Sequence, residues 1–517
     1  MIVLIRSKKH ITKERCSLMN SITEFIKNGI PKIEAIVNLF YQDSSKQAEF
    51  EERLEKVVTK FILDIMSEAY TKVNSVIKDS DERKKEWNIV KTEDKTLICR
   101  FGEFSYKSTT FVNKETCKNV KLADQYLGIK SHERLTEGVK VNILKEAVQT
   151  NYRRSGAECS FQNVLSKEAV MNYLHALKFP EHIQWPENKR VVKTLFIEAD
   201  EDHCKLQYQE KKGDLTKNEN KRKDNCVLTK IVYVHEGIIC RECATKEGKK
   251  QKRHELKNPY YFSGLYEGKD NEKLWRKVYD YISHVYDLDQ VEHIYLMSDG
   301  GGWIRAGRDL FCNATHVLDE FHVKKYVLKM TRHMLDSAED ARKEICEILR
   351  NETREKFEEE TEKLISYTKT DAERRRVEEG ASYILNNWSA AKTRLAGRKY
   401  VVGCSAEGHV SHVLADRMTS RPMGWSRTGA DKMAHLRAYY YNHGNMLELV
   451  RMQKEEHPLA VGAENVICSC KDILNSESNK SYSQREQELR KYYDTMQASV
   501  SVQDRKIAYL GSHIVLF

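Results

Sequence analysis

Along the first eighty residues the apolar positions recur at helical spacing. Ile30, Ile33, Ile36, Val37 and Phe40 form one stripe, and Leu54, Val57, Val58, Phe61 and Ile62 form another. This spacing predicts a helical hairpin over about Ser21 to Ile77. The period then shortens. The run TLICRFGEFSYKSTTFV, between Lys95 and Val112, consists of two β-rich stretches interrupted by Gly102 and predicts a β-hairpin. From Gly138 to Leu177 the helical pattern returns in VKVNILKEAVQTN, YRRSGAECSFQ and SKEAVMNYLHAL, with Ser166 placed to cap the third segment. Three short helices in this order suit a helix-turn-helix, with Arg153, Arg154 and Lys167 near phosphates. A small bundle that only packs has the same pattern.

The texture changes again at Lys189. Val191, Val192, Leu195, Phe196 and Ile197 predict a buried strand that delivers Glu198, Asp200 and Asp202 at its end. KLQYQ and CVLTKIVYVHEGII read as two further antiparallel strands, and EKLWRKVYDYISHVYDL as a crossover helix. That helix leads into the short apolar strand Ile294 to Met297, followed by Asp299 and then Gly300, Gly301 and Gly302. Three residues without side chains leave room beside the Asp299 carboxylate for a backbone, a phosphate or a hydrated metal. A capped strand-to-helix turn would look the same. Next comes another apolar run, ATHVLDEFHV, carrying Asp319 and His322 as Asp-x-x-His, and then a highly charged helical stretch from 323 to 396. Tyr400 to Val402 is one more strand candidate. Ser405 is placed to cap a helix whose buried stripe is Val410, Val413 and Leu414 and whose first turn holds Glu407.

Composition narrows the class. At 517 residues the chain is too long for one core, and two to four domains are expected. Lys plus Arg is 87 against 77 for Asp plus Glu, a net charge of +10 that is compatible with a polyanionic partner. Only 6 prolines and 23 glycines occur, as in a helix-rich protein with few long linkers. The 13 cysteines follow no disulfide rhythm and are expected to be reduced, in the cytosol. No run approaches the roughly 18 apolar residues of a membrane span, so no membrane partner is expected.

Asp200, Asp299 and Glu407 each stand at the end of a strand or at the start of the helix after one. In a single sheet those ends can meet. Three carboxylates make a hard-oxygen site suited to two Mg²⁺ or Mn²⁺ ions, the arrangement that serves in-line phosphodiester cleavage. Zinc is disfavoured there because thiolates and imidazoles are not clustered.

The combination of IEADEDH, SDGGGWI, LDEFH and CSAEGHVSHVLADRMTSRPMGW resembles bacterial insertion-sequence transposases of the Lre type, relatives of the Mutator superfamily. The likeness runs from about Phe101 to Asn442. It implies an α/β, ribonuclease H-like mixed sheet with a DDE triad and an all-helical insertion before the glutamate, preceded by a mainly helical DNA-binding region. The family's aspartates fall on Asp200 and Asp299 and its glutamate on Glu407, with Asp319 and His322 on the superfamily's Asp-x-x-His signature. The three glycines depart from the family, in which a bulkier residue follows the second aspartate. The implied organisation is an N-terminal helical region over 1–90 and a hairpin plus helix-turn-helix-like region over 91–185. The catalytic core follows in two parts, 186–322 and 397–445, around a helical insertion at 323–396, with a C-terminal helical region at 446–517. The implied activity is metal-dependent cleavage at element ends and strand transfer into target DNA. The implied partners are terminal inverted repeats, target DNA and a second copy of the chain, in a bacterial, nucleoid-associated setting. A nuclease of the same fold without strand transfer, and a transposase-derived DNA-binding protein, are the competing readings.

Several residues stay open. Cys240 and Cys243, with His235 and His254 nearby, are a weak zinc set, since no second well-spaced pair accompanies them. The lysine-rich stretches either side of the third strand suit phosphates or plain solvent. His409 and His412 flank Glu407, Arg417 and Arg421 are candidates to neutralise phosphate, and Trp425 stacks on a base or packs. No Walker loop, GxSxG or HExxH occurs, so nucleotide-driven, serine-hydrolase and zincin chemistry have no support.

Overall fold

The computed structural model describes residues 20–478 except for 182–184, 208–215, 218–222, 245–249, 312, 397–404, 422 and 454–458. The chain divides into two compact units. One comprises 1–143, 155–166 and 450–517, the other 144–154 and 167–449.

In the first unit the apolar stripes become helices α1 (Ile30–Gln42) and α2 (Gln47–Asp79). A long antiparallel hairpin follows, β1 (Trp87–Cys99) with β2 (Gly102–Asn113), paired from Trp87 opposite Asn113 to Cys99 opposite Gly102 with a register shift between Ile89 and Lys91. The hairpin begins well before Lys95. The outer half of β1 is exposed at almost every position, so it carries no alternating pattern to read. Val73, Val76 and Ile77 of α2 bury with Trp87, Phe111 and Leu122, and the helix Ala463–Ser478 adds Ala463, Val466 and Cys470 to the same core. The C-terminal stretch without a legible purpose thus helps to close the N-terminal unit. The three short helices are present as α3 (Glu137–Gln149), α4 (Tyr152–Ala157) and α5 (Lys167–His175). The division between the units runs through them.

The second unit is built on a five-stranded sheet. Its strands are β3 (Thr194–Lys205), β4 (Cys226–His235), β7 (Tyr260–Gly264), β8 (His293–Ser298) and β9 (Thr315–Leu318). A separate hairpin of β5 (Ile238–Ala244) and β6 (Lys250–Leu256) lies between β4 and β7 in the chain. The sheet order is β7-β4-β3-β8-β9, with β4 antiparallel to both neighbours and β8 and β9 parallel to β3. KLQYQ is not a separate strand: Lys205 ends β3, Leu206 makes an isolated bridge to Trp425, and residues 208 and 209 lie outside the described set. The third strand of the sheet in chain order is β7, in a stretch to which the apolar pattern assigns no element.

Alternation along β3 sorts its two faces. Leu195, Ile197 and Ala199 join Val232, Val234 and Leu296 under helix α6 (Asp270–Val285), which buries Leu274, Trp275, Val278 and Ile282 at helical spacing. Helix α7 (Arg305–Leu310) closes on the same core through Gly307, where an added Cβ would stand 2.5 Å from the Trp275 ring. On the opposite face Phe196, Tyr295, Met297 and Val317 form a smaller cluster. Between β9 and the Glu407 segment come α8 (Glu320–Thr331), α9 (Ala338–Asn351), α10 (Arg354–Ser366), α11 (Asp371–Asn386) and α12 (Trp388–Leu395). These five helices share one core of Val327, Ile345, Phe357, Val377 and Ile384 with their neighbours. Trp275→Ala should cost the sheet-bearing unit about 3–5 kcal/mol, read as a lower urea midpoint. A loss below about 1 kcal/mol would contradict its place at the centre of this core.

Candidate active site

Three neighbouring parallel strands carry the same residue type at one level, where β8 and β9 end and β3 runs on to Lys205. Ser298 of β8 is paired with Ala199 of β3 on one side and Leu318 of β9 on the other. The next residue of each strand is therefore Asp200, Asp299 or Asp319, three carboxylates in a row with about 4.8 Å between adjacent strands. One oxygen of each is held by a nearby amide. Glu201 N–H donates to Asp200 Oδ1 at 2.8 Å, Gly301 N–H to Asp299 Oδ1 at 2.8 Å, and Phe321 N–H to Asp319 Oδ1 at 3.2 Å. The last of these is the N-cap of α8.

The turn after Asp299 depends on glycine at one position. Gly300 has φ +83°, and a Cβ there would lie 2.7 Å from Asn387 Oδ1. At Gly302 nothing lies within 4 Å of where a Cβ would be, so that glycine is not required by packing. Tyr383 of α11 donates its hydroxyl to the Asp299 carbonyl. The helical insertion therefore braces the turn from two residues.

Crowding of acids shows in their proton affinities. Burial pushes the Asp200 carboxyl up to about 7, and the charges of Asp299, Glu201 and Asp319 push the same way. Asp319 is raised by burial and by Glu407, against His322, Arg394 and the Phe321 amide. Glu201, on the other face of β3, is raised by burial and then by Asp299. Neither Glu201 nor the in-register place of Asp319 was legible as such, although IEAD, LMSD and HVLD share one signal: an apolar run ending in aspartate.

Glu407 arrives on a separate element, the short helix α13 (Ala406–His409), where it is exposed. Its charge reaches Asp319. What seats α13 is Glu198, only 1% exposed. Glu198 accepts from the Ser405 amide at 2.6 Å, the Ser405 hydroxyl at 3.1 Å and the Tyr233 hydroxyl at 2.8 Å, and it meets His235 Nε2 at 2.9 Å. Ser405 stands at the cap position, but its hydroxyl goes to Glu198 and not to the helix amides. Asp202 accepts from Thr419 Oγ1 at 2.8 Å. On this face of β3, Asp299 and Asp319 push on Asp200. Among the described residues no three His, Cys, Asp or Glu side chains are close enough to ligate one ion as they stand.

Arg153, Arg154, Lys167 and Arg421 are exposed. Arg417 is a correction to its assignment as a phosphate contact: it is 5% exposed and donates through Nε to the Ala147 carbonyl at 2.9 Å. Trp425 is buried too, its Nε1 bonded to the Met418 carbonyl at 2.9 Å. His409 bonds the Tyr261 hydroxyl at 2.9 Å and packs on Tyr233. Cys240 and Cys243 both lie in β5, and His235 is engaged by Glu198. The Tyr400 to Val402 strand candidate lies outside the described residues.

A fold of this kind, with acids gathered at the ends of parallel strands, defines an α/β protein with a candidate active site at one end of its sheet. The chain belongs to the UPF0236 family, described as an uncharacterised protein family, whose model matches residues 42–456. A UPF0236 protein of Caldanaerobacter subterraneus subsp. tengcongensis, whose name joins eleven locus designations, is 30% identical over 447 residues, covering 86% of this chain and 85% of its own. A second from the same organism, TTE2489, is 31% identical over 428 residues, with 82% and 86% covered. Among solved structures the chain has a slight likeness to the Drosophila P element transposase strand transfer complex. That match has 8% identity, covers 68% of this chain and 94% of the other, and at a TM-score of 0.19 carries no argument.

The acid row makes stability depend on pH. The unfolded Asp200 carboxyl takes its proton near 3.8 and the folded one near 7, so the folded state holds the extra proton between them. That contribution is complete below about pH 4 and is lost as pH rises through 7. In EDTA, Asp200→Asn should therefore melt increasingly above wild type from pH 5 to pH 8. Parallel melting curves across that window would contradict a buried, crowded carboxyl.

Proposed function

We propose that the protein is a DNA transposase that cleaves the ends of its element and joins them to target DNA. The observation that carries this reading is the row of Asp200, Asp299 and Asp319 at adjacent strand ends, with Glu407 on a helix docked to the same strand through Glu198. In order of sequence the sheet runs 3-2-1-4-5 with its second strand antiparallel, the strand order of a ribonuclease H-like fold. A helical insertion stands between the fifth strand and the glutamate, as the resemblance implies. The eleven loci in one relative's name and four in another's also support it, since a mobile element multiplies its own gene within a genome.

An all-carboxylate donor set suits Mg²⁺ or Mn²⁺. Asp200, Asp299 and Glu407 would hold the ions, with Asp319 beside them. Bound ions would supply electrophilic activation of the scissile phosphate and of the attacking oxygen. The chain's own share is positioning. The strand register fixes two carboxylates, the amides at Glu201 and Gly301 turn them, and Glu198 sets where α13 begins. Exposed Arg154 and Arg421 offer charge to duplex DNA, and a second protomer would hold the other element end.

Glu407→Gln should lower Mg²⁺-dependent cleavage of element-end DNA by at least about a hundredfold while leaving DNA affinity within about twofold. Full cleavage by that variant sinks the assignment, and release of nicked ends with no joined product would favour a plain nuclease. Glu198→Gln keeps the shape but weakens the hold on Ser405. Cleavage should fall about 10–100-fold with a higher Mg²⁺ requirement, and an unchanged Mg²⁺ titration would remove Glu198 from the positioning role.

A further inference from the structure

Away from the acid row, the second unit contains a cavity of about 760 Å³ between the start of α4, helix α5 and residues 423–429. That is within the size range of small-ligand sites. Arg417 stands in its wall, 95% buried by its 5% exposure. The guanidinium lies 4.9 Å from the Trp425 ring and 5.8 Å from the Tyr152 ring. Its bonds go to the Ala147 carbonyl and, at 3.4 Å, to the Met423 sulfur. Among the described residues no carboxylate pairs with it. Burial lowers its proton affinity only to about 10, with Arg437 and Arg421 adding to the effect, so the cation persists at neutral pH. A buried charge without a counter-ion is costly, and a ligand that brings an anion or a carbonyl acceptor removes the cost. The Tyr152 hydroxyl, also lining the cavity, is buried without a hydrogen-bond partner.

The remaining walls define the rest of the ligand. Met171 and Met423 line it with polarisable, adaptable side chains that suit a planar ring, and Gln207 brings an amide. At the mouth stand Arg153 and Lys167, both exposed, with Glu168 3.6 Å from Lys167. A ring inside, an acceptor for the buried cation and a phosphate at the mouth together describe a nucleotide. A paired base within a duplex cannot enter, because its faces are stacked and its edge is taken.

We propose that this cavity takes one unpaired nucleotide of a DNA strand, with its base between Met171 and Met423 facing Arg417 and its phosphate at Arg153 and Lys167. The inference rests on the DNA-processing reading and adds what that reading lacks: a site that distinguishes a frayed or overhanging strand from blunt duplex. It makes no use of the acid row.

The test uses the full chain in EDTA with three fluorescent DNAs: a single strand, a duplex with a three-nucleotide overhang and a blunt duplex. Met171→Trp fills the cavity, and the double variant R153A/K167A removes the mouth charge from exposed positions. Met171→Trp should weaken single-strand and overhang binding at least about fivefold, the lower end of what stacking one base contributes, and leave blunt duplex within about twofold. R153A/K167A should weaken the same two DNAs and lower the slope of log affinity against log salt by about 1.4 for single strand, the loss of two phosphate contacts. Equal losses on all three DNAs, or none in correctly melting variants, overturn the proposal. Binding of dAMP that the variants abolish, without any effect on the strands, overturns it in favour of a free nucleotide. Should Met171→Trp fail to fold, the exposed pair decides alone. Loss of Mg²⁺-dependent cleavage in Glu407→Gln with this binding pattern intact leaves the cavity standing, whereas absence of any cleavage by wild type fails the transposase reading separately.

Discussion

The buried carboxylate of Glu198 is the interaction on which the arrangement of the site depends. A carboxylate at 1% exposure survives only when its lone pairs are occupied, and here Tyr233 and His235 of β4 and Ser405 at the α13 start occupy them. The Ser405 amide and hydroxyl are local to the first turn of the helix that carries Glu407. The sheet therefore determines where that helix begins, although the intervening chain makes a whole helical bundle first. Removing one side of such a network costs on the order of 3–5 kcal/mol, and here the loss would appear as a displaced Glu407.

The row of aspartates follows from strand register and from nothing subtler. Parallel pairing of β3 with β8 and β8 with β9 places Ala199, Ser298 and Leu318 level, so one residue further each strand carries an acid, where β8 and β9 end and β3 continues. Burial holds the Asp200 proton above the ordinary carboxylate range, and the like charges of Asp299, Glu201 and Asp319 add to the effect. The fold tolerates this because each carboxylate takes an amide N–H within two residues. A divalent cation would relieve the same repulsion more completely, and the row is oriented as a place where that relief is available.

How much of this could be read in the sequence depended on the range of the interaction. Apolar spacing marked α2 and α6, each with one face in a core, and unbroken apolar runs marked β3 and β8, which are buried on both faces, and the acids after IEA and LMS followed from that. The reading of Glu198, Asp200 and Asp202 as near equivalents was a limit of periodicity: all three share a face, and only the neighbours Ser405 and Thr419, some two hundred residues away, separate them. The edge strand β7 was missed because five residues between Pro259 and Leu265 resemble a loop until β4 lies beside them. Arg417 was misjudged for the same reason. A cation in a polar-looking segment is expected at the surface, and nothing local reveals the Trp425 ring and the Ala147 carbonyl that bury it.

The helical insertion is more than a separation between the fifth strand and the glutamate. Asn387 fills the space that Gly300 leaves, Tyr383 holds the Asp299 carbonyl, and Arg394 pairs with Glu320 directly after Asp319. Three contacts from α11, α12 and the residue between them thus reach the ends of β8 and β9, on the acids' own turns. A left-handed glycine turn is entropically expensive to hold, and these braces limit its freedom from one side while strand pairing limits it from the other. The glycines after Asp299 therefore reflect the closeness of the insertion at Gly300 and open space at Gly302. The departure from the bulkier residue of the resembled family is a local trade of side-chain packing for contact with α11, and it leaves the position of the carboxylate to the strand.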